Sequence, residues 1–369
     1  MSVTLDSVIA ALRTVKGMDQ QKDVMALGMI RDLKIDGDRV ALRLVVTSPV
    51  GKVKQQLEDQ IRQALTRVAG ATGVDIRSDS EVPKGRVAPD KRGVPGVKHI
   101  IAVSSGKGGV GKSTVATNLA VALASQGHEV GLLDSDVYGP NIPTMMGLSN
   151  QMPQARMDET RGEVLIPLES YGVKVMSMGL LTRGDQPLVW RGPMLHSVVS
   201  QFLLKVDWGN LDYLVIDMPP GTGDVQLSLT QLVPVTGAVV VTTPQEVSLQ
   251  DVRKAILMFE KVSVPILGIV ENMSYFVCDQ CDKKHEIFGG GGGTLLADKY
   301  RTRLLGQLPL ATAVREGGDA GTPIVVRDPK SVQAKAFGDL ARAVSHEVDV
   351  MAASAGSESG APGLRIEGF

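Results

Sequence analysis

The sequence predicts an α/β fold, a mostly parallel sheet flanked by helices, preceded by a small α+β domain. Three observations predict it. Short apolar runs recur at residues 100–103, 130–133, 213–216, 238–242 and 266–270, with 304–308 behind them. Separated by helical stretches, such runs read as strands covered on both faces. A glycine-rich loop joins the first run to a helical segment, and residues 1–78 lack this rhythm altogether.

Within the first 78 residues, 7–15 suit a helix, and 24–33 and 39–46 read as strands about the turn Asp36-Gly37-Asp38. Leu57, Ile61, Leu65 and Val68 share one helical face, and 74–76 suit a short last strand. Residues 79–97 carry Pro83, Pro89 and Pro95 without apolar periodicity and read as a linker. Residues 98–350 form the larger domain. Residues 351–369 are small, polar and Gly/Pro-containing, the composition of a disordered tail.

At 369 residues and 43% hydrophobic, the chain can support two cored domains. Its net charge of −1 lacks the basic excess of a nucleic-acid binder. No stretch reaches the ~20 apolar residues that span a bilayer. Met1-Ser2-Val3-Thr4-Leu5-Asp6 has neither the basic nor the apolar region of a secretory signal. The expectation is a cytoplasmic protein without a nucleic-acid or membrane partner.

Gly106-Lys107-Gly108-Gly109-Val110-Gly111-Lys112-Ser113 satisfies the phosphate-loop pattern G-x-x-x-x-G-K-[ST] in full, between a strand at 100–103 and a helix at 113–126 followed by Gly127. Glycines let backbone N–H groups close round a phosphate, and the helix N-terminus adds positive potential. Lys112 is expected on the β- and γ-phosphates, Ser113 on Mg²⁺ and Thr114 near the α-phosphate. The larger domain is therefore expected to be a P-loop NTPase. The early lysine, Lys107, makes the loop resemble the deviant form of the ParA, MinD and nitrogenase-iron-protein group, which implies that this lysine reaches a partner subunit's nucleotide.

Asp217 ends the run 213–216, where a carboxylate at a strand's carboxyl end holds Mg²⁺. Asp134 and Asp136 follow the run 130–133; Asp136 is expected to activate the attacking water and Asp134 to join the Mg²⁺ shell. In the same group an asparagine at the place of Asn272 recognises the adenine edge, which an amide can both donate to and accept from. The guanine-selective N-K-x-D pattern is missing after the late strands, which favours ATP.

The chain has two cysteines, Cys278 and Cys281. At this spacing two thiolates chelate one soft metal centre or form a redox disulfide. A tetrathiolate zinc or iron–sulfur site needs four. A two-fold dimer, which the deviant loop implies, supplies four. A zinc knuckle including His285, or an unligated redox pair, are the alternatives. The glycines at 289–293 read as a flexible loop.

Taken together, the phosphate loop, Asp134-Ser135-Asp136-Val137-Tyr138-Gly139-Pro140-Asn141-Ile142-Pro143, Asp217-Met218-Pro219-Pro220-Gly221-Thr222-Gly223-Asp224 and Glu271-Asn272-Met273-Ser274-Tyr275-Phe276-Val277-Cys278-x-x-Cys281 resemble the Mrp/ApbC family of iron–sulfur cluster carrier ATPases over residues 98–345. The resemblance implies a homodimer holding a labile [4Fe–4S] cluster on Cys278 and Cys281 of both subunits. It also implies delivery to apo iron–sulfur proteins, coupled to binding and slow hydrolysis of ATP. Residues 1–78 resemble the small MIP18-like domain. The cysteine often found there is replaced by the stretch Thr47-Ser48-Pro49-Val50-Gly51, so a docking role is expected of it rather than cluster binding. A positioning ATPase of the ParA/MinD type would share the loop, but gives no reason for the cysteine pair.

Overall fold

The computed structural model describes residues 3–16, 23–27, 29–46, 51–68, 70–80, 93–136, 139–181, 192–221, 223–278 and 280–358. The chain divides into two compact units, residues 1–86 with 346–369, and residues 87–345.

In the first unit, α1 (Leu5–Arg13) starts at Thr4, whose hydroxyl accepts the Ser7 N–H while the Ser7 side chain returns a bond to the Thr4 backbone. β1 (Ile30–Asp36) and β2 (Arg39–Val46) are antiparallel. α2 (Gly51–Val68) follows, and β3 (Gly73–Ser80) pairs in parallel with β2. Val8 and Leu12 of α1, Leu33, Leu44, and Leu57, Ile61 and Leu65 of α2 close the core over the sheet. The strand expected at 24–33 starts only at Ile30. Asp23 accepts the N–H groups of Met25 and Ala26, a local turn that competes with strand pairing.

The second unit runs β4 (Val97–Ser105), α3 (Lys112–Ser125), β5 (Val130–Asp134), α4 (Ile142–Met145), β6 (Gln154–Asp158), β7 (Gly162–Ile166), β8 (Leu168–Ser170), β9 (Val173–Ser177), α5 (Gly192–Leu204), β10 (Leu211–Asp217), α6 (Asp224–Leu232), β11 (Gly237–Thr242), α7 (Glu246–Lys261), β12 (Ile266–Val277), β13 (Lys284–His285), α8 (Gly292–Lys299), β14 (Leu304–Leu310), α9 (Thr312–Asp319), α10 (Ile324–Arg327) and α11 (Val332–Glu358). The last helix continues past the unit boundary.

Among the described residues the sheet has nine strands, in the order β13-β12-β11-β4-β10-β5-β9-β8, with β14 also on β12. β14, β12, β11, β4, β10, β5 and β9 pair in parallel, and the short β8 and β13 are antiparallel additions. Every residue of β5, β10 and β11 is buried, which explains their unbroken apolar runs. The chain leaves β4 for β5 on one side and later comes back to β11 on the other. β4 therefore lies at the order reversal, where parallel α/β sheets open a crevice at their carboxyl ends.

Two domain boundaries differ from the sequence reading. β3 extends to Ser80, into the expected linker, whose residues 81–92 lie outside the described residues. α11 continues through Glu358, so residues 351–358 are helical where a disordered tail was expected. Ala352, Ala353 and Ala355 favour helix, and the first proline is Pro362. Residues 359–369 lie outside the described residues. Among the described residues no helix is long and apolar enough to cross a membrane.

Candidate functional site

Three adjacent strands deliver the site. β4 ends in the phosphate loop, β10 ends in Asp217 and β5 in Asp134, and the last two are register partners. Gly111 stands at φ +81°, a left-handed conformation that glycine adopts at no steric cost, and opens α3. Gly106 lies so close to α7 that an added Cβ would fall 2.2 Å from the Asp251 carbonyl carbon.

Lys112 Nζ lies 2.6 Å from Asp217 Oδ1, with side-chain exposures of 6% and 1%. Ser113 Oγ is 3.4 Å from the same ammonium, which bridges it to Asp217. Burial pushes the Asp217 carboxyl up and the Lys112 ammonium opposes it. Asp217 Oδ2 is buried without a partner among the described residues. An orphaned carboxylate oxygen beside a hydroxyl is the donor chemistry of a hard divalent cation, so Ser113 and Asp217 fit Mg²⁺.

Asp134 is placed otherwise than expected. Its Oδ1 accepts the Asp136 N–H at 3.1 Å, and Oδ2 accepts the Ile142 N–H at 3.3 Å and the Ser177 hydroxyl at 2.9 Å. With both oxygens engaged, it braces the loop after β5 instead of facing an open metal position. Burial, then the charge of Asp217, raises its carboxyl to about 8. Asp136 is 9% exposed and accepts the Gly139 N–H at 3.3 Å; its charge acts on Asp217, so it sits beside the same site. Val137 and Tyr138 lie outside the described residues.

Thr114 is half-buried in the first turn of α3. Gly108 and Gly109 are exposed and Val110 is buried. Lys107 is half-buried and is held by its backbone, its carbonyl accepting the Ser105 hydroxyl at 2.9 Å. Asn272 also differs from its expected place. Its Nδ2 donates to the Val110 carbonyl at 2.8 Å and would meet a Cβ on Gly111 at 2.3 Å. Through this bond the amide braces the phosphate loop.

The cysteines lie at the tip of a hairpin. The outer half of β12 pairs with β13, Phe276 opposite His285 and Val277 opposite Lys284. Cys278 N–H donates to Lys283 O at 3.0 Å, and Asp282 N–H, at φ +56°, to Cys278 O at 2.9 Å. Cys278 is half-buried and Cys281 exposed, both as thiols. Among the described residues no group of three or more His, Cys, Asp and Glu side chains is placed to hold one metal ion.

Sequence reasoning missed Glu271. It is fully buried; Oε1 accepts from Ser274 Oγ (2.6 Å) and Gln307 Nε2 (2.9 Å), and Oε2 from Gly293 N (2.6 Å). An acid directly after the apolar run 266–270 was the available signal. The glycines after the hairpin are likewise built in: Gly292 and Gly293 open α8, and a Cβ on Gly292 would meet Leu249 at 2.7 Å. The loop expected at 289–293 thus holds for residues 289–291, while Gly292 and Gly293 form a packed helix start.

A parallel sheet whose central strand feeds a glycine loop and helix, with the loop lysine on a strand-end aspartate, defines a P-loop nucleotide-binding protein. Residues 96–345 match the family described as NUBPL iron-transfer P-loop NTPase, and the chain belongs to it. Residues 5–76 match a second family, described as iron-sulfur cluster assembly protein. The chain is similar to the iron-sulfur cluster carrier protein of Synechocystis sp., 49% identical over 351 residues, covering 95% of this chain and 99% of that one. It is 47% identical over 311 residues to the protein of the same name from Escherichia coli, covering 84% and 83%. Among solved structures it resembles a nucleotide-binding protein in complex with ADP from Archaeoglobus fulgidus, with TM-score 0.57 and 39% identity, covering 66% of this chain and 93% of that one.

Proposed function

We propose that this protein is a cytoplasmic iron–sulfur cluster carrier that works as a homodimer. Two copies hold a labile [4Fe–4S] cluster on Cys278 and Cys281 of each and pass it to apo-proteins. Binding and slow hydrolysis of ATP at the phosphate loop govern the exchange. One observation carries this reading: the cysteine hairpin is the outer half of the strand whose Asn272 grips the phosphate loop. Two thiolates per chain cannot complete a four-thiolate site alone, and a two-fold partner supplies the other pair.

At the nucleotide site, backbone N–H groups of residues 106–113 bind phosphate oxygens, and Lys112 exchanges Asp217 for the β- and γ-phosphates. Ser113 and Asp217 hold Mg²⁺, which neutralises phosphate charge when bound. Asp136 orients the attacking water. Lys107 extends toward the nucleotide of the partner subunit, and Thr114 serves the α-phosphate. Asn272 meets the adenine only after its amide leaves Val110.

The test is anaerobic reconstitution of the native protein, Cys278→Ala, Cys281→Ala and the variant carrying both changes, with iron, acid-labile sulfide and ADP binding measured on each. Both variants should lose the iron and sulfide and still bind ADP. Full iron loading in the double variant would refute the cysteine assignment.

A further inference from the structure

Between Asn272 and the thiols the backbone of β12 is irregular. Met273 has φ +55°, a left-handed conformation uncommon for a residue with a side chain. The pairing with β14 shifts register between Glu271 and Tyr275. Such an irregularity re-aims side chains and bends the strand, and strained backbone of this kind collects at switch regions. Glu271 spans it. Its carboxylate accepts the Ser274 hydroxyl on the far side of the bulge and ties the segment to β14 through Gln307 and to the start of α8 through Gly293 N–H. The N-terminal dipole of α8 favours the negative charge there. On one side of this staple, Asn272 holds the phosphate loop at Val110. On the other, pairing resumes at Tyr275 and Phe276 and ends at Val277, next to Cys278.

From this geometry we infer that Glu271 is a positioning residue that couples the phosphate loop to the cysteine hairpin. The inference rests on the carrier reading and names its coupling element. Glu271 fixes the bulge at Asn272 and Met273, so that moving Asn272 off Val110 is felt at Cys278 and Cys281. The alternative states are the Asn272 amide on the loop carbonyl and the amide released from it. Without the carboxylate, the segment 271–274 is no longer stapled at both ends, and the hairpin stops following the loop.

The experiment uses the full-length, cluster-free protein under anaerobic, reducing conditions. Because the chain holds only two cysteines, alkylation by iodoacetamide, followed by mass spectrometry, reports on the hairpin alone. Rates are compared without nucleotide and with saturating ADP. In the native protein their ratio should depart from one by about fivefold or more, the low end of a typical coupling between sites. In Glu271→Gln, which keeps the shape but places an N–H₂ where acceptors are needed, the ratio should collapse toward one. Met273→Gly, which accepts the left-handed backbone without strain, should also reduce it and guards against misfolding of the first variant. A purely structural role would lower the melting temperature and leave the ratio unchanged. A native ratio of one, or an undiminished ratio in folded Glu271→Gln, overturns the inference. Protein that binds ADP and iron yet shows either result leaves the carrier reading standing; protein that binds no iron refutes that reading instead.

Discussion

Replacing Lys112 by methionine removes one half of a buried ion pair. The ammonium and the Asp217 carboxylate lie 2.6 Å apart at exposures of 6% and 1%, so neither is screened by solvent. Removing one partner of such a pair costs about 3–5 kcal/mol, because the other is left charged and dry, whereas replacing both by apolar groups of similar size is often neutral. Lys112→Met and Asp217→Leu should therefore each destabilise the nucleotide-free protein by about 3 kcal/mol or more, and the double variant by far less than their combined cost. The interaction energy from this cycle should be about 3 kcal/mol. Both tryptophans, Trp190 and Trp208, lie in the nucleotide-binding unit, so urea unfolding followed by tryptophan fluorescence reads that unit alone. An interaction energy below about 0.5 kcal/mol, the scale of an exposed pair, would refute a buried lysine–aspartate pair.

At the opposite end of the sheet, His99 is 2% exposed and burial, foremost, lowers it from 6.5 to about 4. The unfolded chain takes the proton first as pH falls, so stability should drop by about 3 kcal/mol from pH 6.5 to 4 and level off below. His99→Phe should remove that slope; comparison with the native protein cancels Asp134, whose raised carboxyl acts in the opposite sense, and an unaltered slope would contradict the assignment. Gly111→Ala sets a Cβ at φ +81° and 2.3 Å from Asn272 Nδ2, so it should lower the melting temperature by roughly 2–8 °C and weaken ADP binding, both measurable in one thermal-shift titration. Lys107→Ala should cut ATP turnover while ADP still binds, since the loop holds Lys107 by its backbone; unchanged turnover would count against a role in hydrolysis.

Much of the nucleotide site was legible because its signals are local. The run at 100–103 became the buried part of β4, the glycine pattern opened α3, and Asp217 ended its strand. The less legible parts depend on where side chains point. Asp134 and Asn272 were found as residues, but their partners, Ser177 and Val110, are remote in sequence and no spacing reveals them. Glu271 went unread because its three donors come from a bulge, a helix start and a neighbouring strand. The glycines at 289–293 have the composition of a flexible loop, yet for Gly292 and Gly293 close packing against Leu249 and Glu271 is equally a reason for glycine. β6 to β8 gave no parallel-sheet signal, since β6 is largely exposed, β6 and β7 form a separate antiparallel ribbon and β8 is three residues long.

The central claim is that the cysteine hairpin holds an iron–sulfur cluster between two copies of this chain. Its most direct test is the iron, acid-labile sulfide and zinc content, with the oligomeric state, of the protein purified without oxygen. The account predicts about four iron and four sulfide per two chains, the content of one [4Fe–4S] cluster. Stoichiometric zinc without sulfide, or a monomer retaining all its iron, would contradict it.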